Sequence, residues 1–445
     1  MSRDRAASCR FRARAFATFL VLWVVAVGGV IIAGMQAGAF ERAAGGREAM
    51  ALVRARWAAR AGIEASIAQL ARDVINPHPS DAFAVFDDLE EVAEGELDGA
   101  TWIIEHQVKG QRILGPADAH AKLNMNRMSQ AEWESLDFMT ADLAQRILDW
   151  ADEDDDTRPG GAEIGVYRSR AQSQEPRNGP FLSIDELELV SGADAFFVRG
   201  EDWNLNGVLD PEEDDGSSRG YRRNNGNGQL EAGWSAHITP ISVDDVLGLS
   251  GEPRIELAVG ADVGELVRRT GASREQAQVI ADYAVNSGAS MTQIIQTALN
   301  QLPSLTGQPI NRDVRPLSAE QLGALLDEAV MELPAQPGPG KVNVNTVHED
   351  TITWHMPQVN AFVADSLMAE RRARQQGFAS WADLLAVPGL SRQRLAQLYE
   401  VVTIRSNTFV ITCRGRDVRT GIEVEMIATV DRSTLPITIR DLITQ

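Results

Sequence analysis

The chain has 445 residues, 44% of them hydrophobic and 24% charged, which suits several folded domains and excludes a disordered polymer. Acidic residues outnumber basic ones, 63 against 42, for a formal net charge of −21; such a body repels nucleic-acid phosphate and anionic lipid and attracts cations. The two cysteines, Cys9 and Cys413, sit near opposite ends, and a membrane between them excludes a disulfide, leaving stability to packed cores and bound cations.

Residues 1–15 form a basic leader in which Arg3, Arg5, Arg10, Arg12 and Arg14 face only Asp4. Phe16–Met35 follows without a single charge. About 20 apolar residues in a helix span a hydrocarbon core of roughly 30 Å. The leader arginines resist crossing, so the N-terminus is expected in the cytoplasm and the rest beyond the membrane. The run is long for a secretory signal and continues directly into helix-forming sequence. The reading is therefore an anchor that is kept, whole or trimmed at its N-terminus, rather than a removed signal peptide. Residues 36–76 prolong the helix. Ala51, Ala55, Ala58, Ala59, Ala61 and Ala65 supply helix propensity, Gly45–Gly46 offers a kink, and Leu52, Ile63, Ile67, Leu70 and Val74 form an apolar stripe for packing. Asn76–Pro77 ends it.

Residues 77–121 carry the first strands: Thr101–Val108 is rich in Ile, Val and Trp, Gly110 offers a turn, and Ile113–Leu114 begins a partner. At residue 122 the extended stretch KLNMN opens a series of short helices over 122–335, among them Gln130–Leu136 and Asp142–Trp150. Ser183–Leu189 reads as another, with Ser183 as cap and Glu186 at capping-box spacing. Residues 201–233 are a polar loop. Arg254–Ala258 echoes the first extended stretch, and helices are expected at Val263–Thr270, Ser273–Val285, Met291–Leu299 and Ser318–Glu332. After the Pro334–Gly340 linker, KVNVNT from Lys341 repeats the motif and opens a second helical module over 341–400, with helices at Asn360–Arg374, Trp381–Leu385 and Arg392–Tyr399. Residues 401–445 close the chain with strands at Val401–Arg405, Phe409–Arg414 and Glu423–Val430, then a C-terminal tail. Strands at both ends with helices between them make an α+β fold with helical insertions.

The sharpest chemical motif is DWNLNGVLDPEE from Asp202, which has the calcium-loop spacing D-x-N-x-N-G-x5-E. Ca²⁺ takes six to eight hard oxygens. Asp202, Asn204 and Asn206 supply positions one, three and five, Val208 a carbonyl, Asp210 a direct or water-mediated ligand, and Glu213 a bidentate close. The plainer reading is a solvated acidic loop. Asn225, Asn227 and Glu231 have the same flavour but fail as an independent loop, since Arg223 and Trp234 occupy its end positions. Asp152, Asp154, Asp156 and Glu163 form another acidic group, readable as a second metal cluster or as a solvated charge run. No hydrolase elbow, Walker loop, H-E-x-x-H or Rossmann glycine pattern is present, so no catalytic residue is assigned and the chain is not read as an enzyme. The module at Lys341 is similar to the helix-hairpin-helix units of competence DNA receptors. Its first hairpin, His355–Gln358, lacks the glycines that let a backbone approach phosphate, and only Pro388–Leu390 keeps the form. In so acidic a body no nucleic acid is expected.

The order of these parts resembles the K component of the bacterial type II secretion system, a minor pseudopilin family. The residues that carry the likeness run from the anchor RARAFATFLVLWVV and the helix ARAGIEASIAQL through KLNMN, RILDWADEDDD, GGAE and FLSIDELELV to KVNVNT, FASWADLLAVPGL and the closing strands. The resemblance implies a pseudopilin-like domain of one long helix on an antiparallel sheet, with SAM-like or helix-hairpin-helix-like insertions. It also implies cleavage between Ala15 and Phe16 by a prepilin peptidase, methylation of Phe16, and structural calcium. Gly usually precedes the cut, and Ala15 departs from that. Leu20 stands where most pilins place Glu, as the family does. The implied partners are the I and J minor pseudopilins, the major pseudopilin and the inner-membrane assembly platform, with a place at the filament tip in protein export. Two other readings stand beside it: a membrane-anchored DNA receptor and a minor pilin of a type IV pilus.

Overall fold

The computed structural model describes residues 4–108, 110–169, 175–214, 216, 226–311 and 313–444, with the backbone alone for 4–15. One helix, α1 (Asp4–Ile75), runs unbroken through the leader, the apolar run and Gly45–Gly46. Its Phe16–Met35 side chains are not packed against the rest of the chain. The helix meets the body only from Ala51 onward, so at 1.5 Å per residue its first part projects about 70 Å from it.

From Ala51 to Val74 the helix lies on an antiparallel sheet. A short helix, α2 (Ala84–Glu91), absent from the sequence reading, precedes four strands: β1 (Glu94–Leu97), β2 (Ala100–Val108), β3 (Gln111–Leu114) and β4 (Ala117–Asp118). Three more come from the C-terminus: β5 (Thr408–Asp417), β6 (Glu423–Asp431) and β7 (Thr438–Thr444). The spatial order is β1-β2-β5-β6-β7, with β3 also on β2 and β4 on β5. Cys413 pairs with Ile104 and Phe409 with Val430. The expected tail is therefore an edge strand. The expected strand at Val401–Arg405 does not join this sheet; only Val402–Thr403 is extended, and it pairs elsewhere.

The face that α1 offers differs from the expected stripe. Leu52 is 52% exposed, while Ala51, Ala55, Ala58 and Ala59 are fully buried beside Ile63 and Leu70. Small residues let helix and sheet approach closely, so here alanine serves contact as well as propensity. Gly415 on β5 completes the fit: a Cβ there would overlap the Ala55 carbonyl oxygen. Buried Cys413, Ile104, Phe409, Met426 and Val430 fill the same core, and the Cys413 thiol is free.

Residues 122–404 form the inserted region with its own core. Each of the three extended stretches opens a module that is closed by a two-residue parallel ladder. Leu123–Asn124 pairs with Ile238–Thr239, Ile255–Glu256 with Ala329–Val330, and Val342–Asn343 with Val402–Thr403. The repeated motif explains the closure. Lys122 Nζ donates to Ser235 O at 2.6 Å, and Lys341 Nζ to Tyr399 O at 2.7 Å. Asn126 brackets Phe181, donating to its carbonyl at 2.9 Å and accepting its N–H at 2.7 Å; Asn345 does the same to Phe378 at 3.0 and 2.7 Å. In the middle module Arg254 reaches Leu326 O at 2.8 Å, and Glu256 replaces the first Asn.

Most helices stand where the periodicity puts them, and capping boxes at Ser129, Ser273 and Ser318 fix their starts. Two expectations fail. The helix from Ser318 ends at Glu328, because Ala329–Val330 is drawn into the ladder. Ser183 caps nothing: Asp185–Leu189 is a 3₁₀ turn, and Glu186 instead accepts from the Trp150 indole at 3.2 Å and the Leu182 N–H at 3.1 Å.

Candidate functional site

The Asp202–Glu213 loop leaves the short helix Ala195–Arg199, and the longer 201–233 segment that contains it is tied together near its two ends. Glu201 N–H donates to Glu231 O, and Glu231 N–H to Glu201 Oε2, each at 3.0 Å. Inside, the backbone wraps around its own carboxylates. The Asp202 carboxylate accepts from Asn206 N–H at 3.0 Å and Gly207 N–H at 3.1 Å. That turn needs φ of +74° at Gly207, which glycine adopts without strain. Glu213 accepts from Trp203 N–H at 2.8 Å and Asp210 N–H at 3.1 Å. The amides of Asn204 and Asn206 both donate to Asp210 Oδ2 at 3.0 Å. Asp202, Asn206, Val208 and Glu213 are buried. Burial, then Glu213, raises the Asp202 carboxyl to about 7, with Lys122 opposing; burial also raises Glu213.

The structure thus brings Asp202, Asn204, Asn206, Asp210 and Glu213 onto one small loop. It adds two residues that sequence reasoning missed, Arg414 and Glu425. Asn206 Nδ2 donates to Glu425 Oε1 at 3.1 Å, and Arg414 bridges Asp210 and Glu425. Thr412 Oγ1 donates to Asn206 O at 3.0 Å and Gln107 N–H to Gly207 O at 2.9 Å. The loop is therefore docked on β2, β5 and β6, some 200 residues away along the chain for the last two. No local spacing could have signalled that contact.

The side chains gathered here, two buried carboxylates, Asp210 and two amides, are oxygen-bearing groups of the kind a hard divalent cation takes, and burial drives the Asp202 carboxyl toward neutrality. Among the described residues no three His, Cys, Asp or Glu side chains are placed as a metal-holding group. Of the second stretch, Asn225 lies outside the described residues. Asn227 donates to Glu231 Oε1 at 3.1 Å, so these two bond each other.

The Asp152–Glu163 group divides. Asp154 and Asp156 are exposed, and Asp154 Oδ1 accepts the Asp156 N–H at 2.8 Å in a local turn. Asp152 shares the Arg158 guanidinium with fully buried Asp149, which lies 2.5 Å from it. Glu163 is 3% exposed, and both its carboxylate oxygens, with Asp152 Oδ1, are buried without a hydrogen-bond donor. Burial, then Asp149, Asp152 and Asp155, pushes Glu163 up to about 7. Burial thus outweighs the Ile164 N–H beside Glu163, while Asp154 and Asp156 stay in solvent.

Fold and site together define an α+β protein with one long N-terminal helix, apolar over residues 16–35, on an antiparallel sheet, and a helical insertion docked back onto that sheet. Residues 116–199 match the family described as type II secretion system, protein K. Of solved structures, it is similar to a chain of the GspK-GspI-GspJ complex from the type 2 secretion system of enterotoxigenic Escherichia coli. That match is 12% identical, covers 90% of this chain and 98% of the other, and has a TM-score of 0.46. No curated protein matches the chain.

Proposed function

We propose that this chain is a non-enzymatic minor pseudopilin that caps the pseudopilus tip and helps start its assembly for protein export. It is held in the inner membrane by residues 16–35, with the leader in the cytoplasm and the body in the periplasm. The observation that carries the reading is the joining, in one chain, of a K-family region at 116–199 to an unpacked apolar helix that continues onto an antiparallel sheet. I- and J-type minor pseudopilins are its neighbours, and the major pseudopilin and assembly platform act with it. The insertion, 122–404, has its own core beside the sheet, and a body of that bulk suits the end of a filament rather than its shaft. Calcium is structural: Asp202, Asn204, Asn206, the Val208 carbonyl, Asp210 and Glu213 hold one ion, and Asp152 with Glu163 a second.

The test is the N-terminal mass of the membrane-extracted protein, with and without the prepilin peptidase. The expected species starts at N-methylated Phe16 and is lost without the peptidase. An intact Met1 start in both strains overturns the pseudopilin reading and favours a plain anchored receptor; cleavage beyond Met35 overturns the anchor.

A further inference from the structure

We propose that the contact between the first and third helical modules is a pH-operated seam, closed while His237 and His355 are neutral and loosened when either takes up a proton. The two modules exchange imidazoles. His237 stands just before the ladder that closes the first module, and its Nδ1 lies 2.9 Å from Thr351 Oγ1 in the third. His355 ends the helix Glu349–Trp354 of the third module, and its Nδ1 lies 3.0 Å from Ser135 O in the first. A carbonyl only accepts, so the neutral His355 ring carries its proton on Nδ1. The ring centroids are 4.4 Å apart. Two other hydrogen bonds join the same modules: Gln358 Nε2 donates to Glu132 Oε1 at 2.9 Å and Arg127 Nη2 to Glu400 O at 2.6 Å.

Groups from every side decide the sign. The first module contributes buried Lys122 and, near His355, Asp137; the third contributes His348 and Asp350. At His237 burial comes first, then His355, His348 and Lys122, and together they lower the ring from 6.5 to about 4 against Asp350. His355 is also lowered, chiefly by burial, against the Ser135 carbonyl and both aspartates. A histidine depressed in the folded protein contributes stability above its ordinary pKa, and that stability is lost as pH falls. The seam is therefore firm above about pH 6.5 and weakens toward pH 4.

Hydrogen–deuterium exchange on the full chain in detergent micelles reads this directly. Labelling is done at about pH 7.5 and about pH 4.5, with times scaled for intrinsic exchange. Protection of segments 130–140 and 349–360 is expected to fall roughly tenfold or more at the lower pH, while 274–296 in the middle module keeps its protection. The paired variant His237→Gln, His355→Gln retains polar groups that do not titrate and is expected to hold protection at both values. Unchanged protection in the wild type, or an equal loss in the Gln variant, overturns the proposal. If that variant does not fold, the wild-type imidazole titrations by NMR decide. Both rings titrating at or above 6.5 overturn it, and either ring well below supports it.

Discussion

Asn345 is 5% exposed and satisfies three backbone groups at once: the Phe378 and Ile404 carbonyls at 3.0 Å and the Phe378 N–H at 2.7 Å. Removing one partner of a buried pair leaves the other unpaired, at about 1–3 kcal/mol for each group. Asn345→Ala is therefore expected to cost about 3 kcal/mol or more, read as a lowered thermal midpoint, and a cost under about 1 kcal/mol would deny the clamp its role. Asp202 makes a second prediction at this scale. Its carboxyl is raised to about 7, so without a cation the folded state favours the protonated form. The Asp202 contribution in chelator should then be present near pH 4 and be lost as pH rises through 7. Calcium should oppose that loss, and Asp202→Asn should make the fall shallower in chelator while weakening the response to calcium; Glu163 and Asp327, also raised to about 7, keep the remainder. A melt that is flat in chelator for the wild type would deny the buried charge. The clamp residues were legible as a repeat, KLNMN against KVNVN. Their partners Phe181 and Phe378 were not, because they stand 55 and 33 residues further on.

Among elements, the junction of α1 with the sheet depends on the absence of side chains. Gly415→Ala places a methyl group against the Ala55 carbonyl oxygen and the Ala59 nitrogen. Backbone cannot yield there as a side chain would. Overpacking of this kind is expected to cost about 3 kcal/mol and to raise exchange in β5 and β6, whereas Gly99→Ala, in open space but at φ +76°, should leave β5 protected. The helix itself was plain in the sequence from its length and composition. Its contact face was not, since alanine reads equally as propensity and as contact, and Leu52 as readily inward as outward. Likewise the ends of the Ser318 helix and the Val401–Arg405 segment were misread. In each, two residues leave the local pattern to close a ladder with a strand tens of residues away.

At the scale of the molecule, α1 before Ala51 and the body are energetically separate, because no residue of the apolar run is buried. Removing residues 1–35 should leave the thermal midpoint of the body unchanged within a degree or two, though it abolishes membrane retention; a clear drop would mean that the anchor packs on the body. Calcium, by contrast, should act on the whole insertion. A ligand at about 100 times its dissociation constant stabilises the state it binds by about 2.7 kcal/mol. Chelation should lower the midpoint accordingly, first in 122–240, where both sites lie, and then in β5 and β6 through Arg414 and Glu425.

The sequence by itself determined the apolar run, the long helix, most short helices, the repeated openings and the spacing of the calcium-type loop. All of these are written in neighbours along the chain: apolar length, periodicity, caps and ligand intervals. Only the tertiary structure decided what those parts meet. It joined strands from 94–118 to strands from 408–444 in one sheet and made the tail its edge. It split the insertion into three closed modules, set the calcium-type loop on that sheet, and pressed His237 against His355. Each of those depends on residues brought together by chain closure over tens to hundreds of positions, where hydrogen bonds and burial act through space and leave no local mark in the sequence.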